Sequence, residues 1–238
     1  LFFLGSVLMR SAGCIVNDLV DKDFDKKVKR TKNRPIASNK ISIKLALIYV
    51  IILCSLAFII LIQFNPLTIF LGIGSMIPAF LYPYMKRITY WPQLFLGFTF
   101  NWGIIMAWTA FNGYISFEVL ALYISAIFWT LGYDTIYGVQ DIYDDEIIGL
   151  KSTSIKFKRN IKEFVAISYF TTIVIVFFLF NENIGLNFFT LLFSFFSLSL
   201  IFQIITFNNK SPTKCLKIFK FNNFSGSILF LALLSINL

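Results

Sequence analysis

The chain has 238 residues, of which 58% are hydrophobic and 14% charged, and it carries a net charge of +9. Its mean hydropathy is +0.78; a soluble domain carries about 25% charged residues, so the composition excludes an ordinary water-soluble globule. The absence of any His excludes His-based acid–base chemistry and His ligation of haem or zinc.

The chain opens on Leu1, already inside an apolar run over 1–16 and without a charged leader or cleavage site. It is therefore expected to lack its natural N-terminus. Further apolar runs cover 43–63, 67–84, 91–110, 115–136, 163–181, 184–206 and 223–238. Most come near the roughly 20 residues that cross a bilayer as a helix, and none alternates in polarity as a barrel strand would. The predicted fold is an all-α, polytopic transmembrane bundle of about eight spans, forming one integral-membrane domain over 1–238. Pro35, Pro66, Pro83, Pro92 and Pro212 fall at or near the ends of these runs, where a helix stops at little cost. Cys14, Cys54 and Cys215 show no CxxC spacing, so neither a disulfide framework nor a zinc site is expected.

The loops alternate in charge. Residues 17–42 are rich in Lys and Arg, and so are the turn holding Lys86 and Arg87, the stretch from Lys151 to Lys162, and the stretch from Lys210 to Lys220. The loops near Asn65, Asn112 and Asn183 contain neither Lys nor Arg. The positive-inside rule places the four basic loops on the cytoplasmic side, which agrees with eight spans and makes the net charge a topology signal rather than a nucleic-acid surface.

Eight of the twelve acidic residues fall in two clusters, each where a span meets a basic loop: Asp18, Asp21, Asp23 and Asp25, then Asp141, Asp144, Asp145 and Glu146. The clusters share a pattern, since Asn17-Asp18-x-x-Asp21 matches Gln140-Asp141-x-x-Asp144. On a helix Asp18, Asp21 and Asp25 share one face, and Asp141 and Asp145 are i, i+4 neighbours. Like charges so placed repel unless a cation neutralises them, and a hard divalent ion such as Mg²⁺ uses one or two carboxylates, waters and substrate phosphate. Two such faces across a cavity, with basic residues nearby, suit a diphosphate bridged by Mg²⁺; solvated loop carboxylates balancing lysines are the competing reading. An EF-hand is excluded, because the loop starting at Asp21 has Lys26 where Gly is needed and Lys32 where Glu is needed. A transporter would place its ionisable groups near the bilayer midplane, whereas these cluster at one membrane face.

The stretch Asn17-Asp18-x-x-Asp21-x-x-x-Asp25, followed by Lys29-Arg30-Thr31-Lys32-Asn33-Arg34-Pro35, resembles the first motif of the UbiA-type prenyltransferase family. Tyr133-Asp134-Thr135-x-Tyr137-x-x-x-Asp141-x-x-Asp144-Asp145, then Gly149-Leu150-Lys151-Ser152-Thr153, resembles the second. Tyr82-Pro83-Tyr84-Met85-Lys86-Arg87, Pro92-Gln93 and Met9-Arg10-Ser11-Ala12-Gly13-Cys14 resemble the branch acting on 4-hydroxybenzoate. Haem O synthases share the first pattern but not the second, and the Gly-x-x-Ala-Arg core of CDP-alcohol phosphotransferases is absent. The family has nine spans, so the resemblance implies one more before residue 1. Tyr143 stands where some relatives have another Asp.

The resemblance implies Mg²⁺-dependent transfer of a polyprenyl group from polyprenyl diphosphate to the ring of 4-hydroxybenzoate, a step of ubiquinone biosynthesis, with another aromatic acid or a naphthoate as the alternative acceptor. The bias to Ile, Lys, Asn and Phe points to a bacterial cytoplasmic membrane, with a mitochondrial membrane as the alternative. The resemblance assigns Asp21, Asp25, Asp141 and Asp145 to catalysis and adds Asp18 and Asp144 as metal ligands. It assigns Asn17, Arg34, Lys86, Arg87, Tyr137 and Lys151 to substrate, with Arg30 a further diphosphate contact; each cation is equally placed to be a topology charge. Arg10 and Asp134 fall within or at the edge of spans, where an ionisable group is paired or functional, and a mutual pairing or a place in the cavity wall is expected. Trp102, Trp108, Tyr133 and Tyr137 offer faces to a carbocation, and lipid-facing packing is the alternative for each.

Overall fold

The computed structural model describes residues 1–28 and 30–237; Lys29, in the first basic motif, lies outside the described residues. The described residues form eleven α-helices and no strand. They are α1 (Phe2–Asp25), α2 (Ile43–Leu61), α3 (Pro66–Gly74), α4 (Met76–Ile88), α5 (Pro92–Asn112), α6 (Phe117–Gly138), α7 (Ile142–Ile148), α8 (Thr153–Lys156), α9 (Ile161–Leu179), α10 (Phe188–Thr206) and α11 (Pro212–Leu234). Seven stretches are long and apolar enough to cross a membrane, with α3 and α4 forming one of them, as do α6 and α7. The eighth expected span, 223–238, begins in the second half of α11. The first half of α11 carries Lys214, Lys217 and Lys220, and the helix is therefore not apolar enough over a bilayer's length to join the seven.

The helix starts follow from local chemistry. The side chains of Ser42, Asn65, Ser116, Ser152 and Asn187 each accept a bond from the amide three residues on, capping α2, α3, α6, α8 and α10. Pro66, Pro92 and Pro212 open α3, α5 and α11, where the missing amide hydrogen costs nothing. Pro83 differs from expectation. It lies inside α4, which runs on to Ile88, because the helix continues beyond the apolar run to carry Lys86 and Arg87 to the site.

The core is unevenly distributed. Ile136, Val165, Tyr169, Val176, Phe196 and Leu200, from α6, α9 and α10, are all at most 1% exposed. Close packing of α5 against α6 depends on Gly97, where a Cβ would stand 3.0 Å from the Ile127 side chain and 3.2 Å from its carbonyl oxygen. By contrast, the buried residues of α1 are only Ala12, Asp21 and Asp25. Its C-terminal end is held by charge rather than by apolar contact.

Candidate active site

Both acidic clusters open onto one cavity of about 170 Å³ at the membrane face that carries the basic loops. Its walls come from the end of α1, the 26–42 loop, the end of α4, the start of α5, the end of α6 and the 149–152 turn. Asn17, Asp21 and Asp25 line it at four-residue spacing along α1, so they share one helix face. Asp141, in a single 3₁₀ turn, and Asp145 line the opposite side. Gly138 sits where a Cβ would meet the Ser154 hydroxyl at 2.5 Å. Gly149, at φ 80°, ends α7 in the left-handed conformation and turns the chain back so that Leu150, Lys151 and Ser152 reach the cavity.

The carboxylates and cations of the wall are interlocked. Arg30 grips Asp141 with two bonds, Nε to Oδ1 at 2.9 Å and Nη2 to Oδ2 at 2.5 Å, and donates to the Tyr137 hydroxyl at 2.8 Å. Burial disfavours the Arg30 charge, but the Asp141 carboxylate and Tyr137 outweigh it and hold the guanidinium above its ordinary pKa. Arg34 Nη1 donates to Asp18 at 3.0 Å and to Asp25 at 2.9 Å. Lys86 bonds Asp21, which is only 1% exposed. Arg87 donates to the Val20 carbonyl at 2.6 Å and reaches Asp21 at 3.4 Å. Lys151 donates to the Ile88 carbonyl at 3.1 Å, and its own amide bonds the Lys86 carbonyl at 2.7 Å.

The structure brings most of the sequence-predicted residues to this cavity and leaves three aside. Asn17, Asp21, Asp25, Arg30, Arg34, Lys86, Tyr137, Asp141, Asp145 and Lys151 all line it. Asp18 is one position off the lining face of α1 and joins only through Arg34. Asp144 is not in the wall, because the i, i+4 geometry of Asp141 and Asp145 turns it away. Arg87 also stands behind the wall, packed over Phe24 and Tyr84 with its guanidinium carbon 4.8 and 5.4 Å from their ring centres. There it braces Asp21. Tyr143 is 75% exposed and takes no part. Of the two alternatives expected for Arg10 and Asp134, the structure has no ion pair between them among the described residues and places Asp134 in the cavity wall, while the arginine packs over Phe100 at 4.5 Å. Trp102 donates to the Leu71 carbonyl at 3.0 Å and packs edge-on to Tyr123, a core role away from the cavity.

Gln93, Tyr82 and Ser152 were not expected as wall residues. Gln93 accepts from the Thr153 amide at 3.0 Å and so ties the start of α5 to the Lys-Ser-Thr turn. The dipeptide Pro92-Gln93 was the available signal, a polar side chain one residue inside an apolar helix.

Among the described residues, no three of these acids converge closely enough to cage an ion. The donor set is nevertheless that of a hard divalent cation: carboxylates and an amide, without thiol or imidazole, facing a cavity with four cations in its wall. Mg²⁺ is ordinarily held by one or two carboxylates together with substrate phosphate, so these residues fit it.

An all-helical membrane bundle with an acid- and base-lined cavity at one end defines a class of membrane enzyme scaffold. A model of the "UbiA prenyltransferase family" matches residues 1–232, and the chain belongs to that family. It is 48% identical to the "4-hydroxybenzoate polyprenyltransferase, mitochondrial" of Rattus norvegicus, over 70% of this chain and 45% of the relative. It is 38% identical to the "4-hydroxybenzoate octaprenyltransferase" of Vibrio campbellii, over 98% of this chain and 82% of the relative. The chain spans about half to two thirds of the length of the mitochondrial relatives it matches. The fold matches an apo UbiA homolog from Aeropyrum pernix K1, with a TM-score of 0.85 at 22% identity, covering all of this chain and 88% of the other. It also matches a UbiA homolog from Archaeoglobus fulgidus bound to GPP and Mg²⁺, with a TM-score of 0.70 at 16% identity, covering 100% and 87%.

Proposed function

We propose that this chain transfers a polyprenyl group from polyprenyl diphosphate to the ring of 4-hydroxybenzoate, with Mg²⁺, an early step of ubiquinone biosynthesis. The observation that carries the proposal is the single cavity onto which both Asp-rich motifs and four cations open. Relatives named for this reaction and the GPP and Mg²⁺ of the Archaeoglobus homolog support it.

Asp21, Asp25, Asp141 and Asp145, with the Asn17 amide, are the residues that would hold Mg²⁺. Bound there it would neutralise the diphosphate and make it a better leaving group. Arg30, Arg34, Lys86 and Lys151 hold the phosphate oxygens through charge-assisted bonds, the strong kind. Before substrate arrives, three of these cations neutralise the acids opposite them. The site is thus poised for an exchange of partners rather than for uncompensated burial of charge. As the carbon–oxygen bond breaks, the allylic cation lies by the Tyr137 ring, which already carries the Arg30 guanidinium at 5.3 Å. The acceptor ring attacks that carbon ortho to its hydroxyl. Leu150, Val28 and Phe24 in the wall keep water from the cation. The prenyl tail runs into the apolar bundle. The setting is a bacterial cytoplasmic membrane, with the Asp-rich loops on the cytoplasmic side by their positive charge.

The test is the purified chain with a prenyl diphosphate, 4-hydroxybenzoate and either Mg²⁺ or EDTA. Mg²⁺-dependent formation of prenylated 4-hydroxybenzoate is expected. Its absence with several donors would remove this acceptor, and its absence with every phenolic acceptor would remove the reaction class.

A further inference from the structure

Of the acids that line the cavity, Asp134 and Asp145 are in no ion pair among the described residues, and Asp134 is the deeper of the two. It lies on α6 seven residues before Asp141, roughly 10 Å deeper along the axis, and lines the same cavity. Asp21, Asp25 and Asp141 are all in ion pairs. Among the described residues Asp134 has no hydrogen bond; the only charges near enough to act on it are Arg10 of α1 and Asp141. Arg10 does not close a pair with it, being drawn over the Phe100 ring of α5. Tyr82 of α4 and Tyr133 of its own helix are its remaining titratable neighbours. A carboxylate in a membrane span costs several kcal/mol, and in a merely structural role it would be paired.

Depth says what it faces. The phosphates belong at the mouth with Arg30, Arg34, Lys86 and Lys151. The allylic carbon is one bond beyond the bridging oxygen, and the tail continues inward, so the acceptor ring meets that carbon on the deeper side. That is the level of Asp134, not of Asp141 or Asp145.

We propose that Asp134 is the base of the reaction, and this rests on the transfer reading above. When the ring attacks, a carbon–carbon bond forms and the carbon–oxygen bond to diphosphate is lost, leaving a positive ring bearing one hydrogen too many. Asp134 takes that proton. The carbon–hydrogen pair returns to the ring, aromaticity is restored, and the proton passes from the carboxyl group to cavity water. Cations already claim the lone pairs of Asp21, Asp25 and Asp141; Asp145 is in no ion pair among the described residues, but it lies at the mouth with the phosphate-binding cations rather than at the depth of the ring.

The experiment compares the full chain with Asp134→Asn and Asp134→Glu, using GPP, Mg²⁺ and 4-hydroxybenzoate either unlabelled or deuterated at the two ring positions ortho to the hydroxyl. Asp134→Asn is expected to lower the product-forming kcat about 100-fold or more, the usual worth of a positioned base. GPP binding in the presence of Mg²⁺ should stay unchanged. A primary deuterium isotope effect should appear in the variant and be absent in the parent, because ring deprotonation becomes limiting. Asp134→Glu should restore part of the rate. Parent-like product formation by Asp134→Asn would overturn the proposal. So would loss of GPP binding in step with loss of product and no rescue by Glu, the result of a structural role. A parent chain that binds GPP but prenylates no phenol would instead bring down the transfer reading itself.

Discussion

The two ends of the chain use polar residues in opposite ways. At the mouth, α1 contributes almost no apolar burial, and Asp21, Asp25 and Asp141 are held by Lys86, Arg34 and Arg30. In the α6–α9–α10–α11 core a buried amide network does the holding. Tyr169 donates to Gln203 at 2.9 Å, Trp129 to Asn222 at 2.9 Å, Asn222 to Gln203 at 3.0 Å, and Gln203 to Ser225 at 3.1 Å. Neutral groups satisfied inside a membrane bundle act as glue. Charges that satisfy one another can be traded for a charged ligand. A bundle needing both a rigid frame and a site that opens to diphosphate separates the two kinds of contact.

Four substitutions sharpen this contrast, from the largest expected effect to the smallest. Asp141→Asn removes one acid from the mouth and should cost about 100-fold or more in product formation, a loss on the scale of one electrostatic stabiliser, with thermal stability in detergent preserved. Arg34→Met releases Asp18 and Asp25 together and should raise the KM for prenyl diphosphate about tenfold, the worth of a hydrogen bond to a charged group; steady-state titration of the donor reads it. Gln203→Leu acts on the other region. It orphans the Tyr169 hydroxyl and removes two bonds of Asn222, and should destabilise the chain by about 1–2 kcal/mol, seen as a lower melting temperature with kcat per folded molecule retained. Equal loss of kcat would show that the two regions are not separable. Lys158→Ala breaks a half-exposed pair with Glu146, outside the cavity, and should shift stability by only about 0–1 kcal/mol with kinetics unchanged.

Much of the site was readable because its residues are close in sequence. The acidic spacing on α1, the Asp141–Asp145 pair and the basic runs are local patterns, and helical periodicity alone puts their members on common faces. The placements that the motifs alone do not give share a cause. Asp144 and Arg87 belong to the motifs but turn behind the wall, Arg10 and Asp134 remain apart, and Gln93 enters from another helix. Each depends on how a helix is rotated about its own axis. Helices such as α5 and α10 are apolar all round, so no amphipathic stripe announces which face points inward.

The sequence by itself determined the all-helical membrane architecture, the helix starts and the side bearing the charge, because span length, capping and positive loops are properties of short segments. Only the tertiary structure decided that the two acidic motifs share one cavity, which cation neutralises which carboxylate, and that Asp134 and Asp145 are without an ion pair among the described residues. Those outcomes depend on distances between residues up to 111 positions apart, set by helix packing that no single segment encodes.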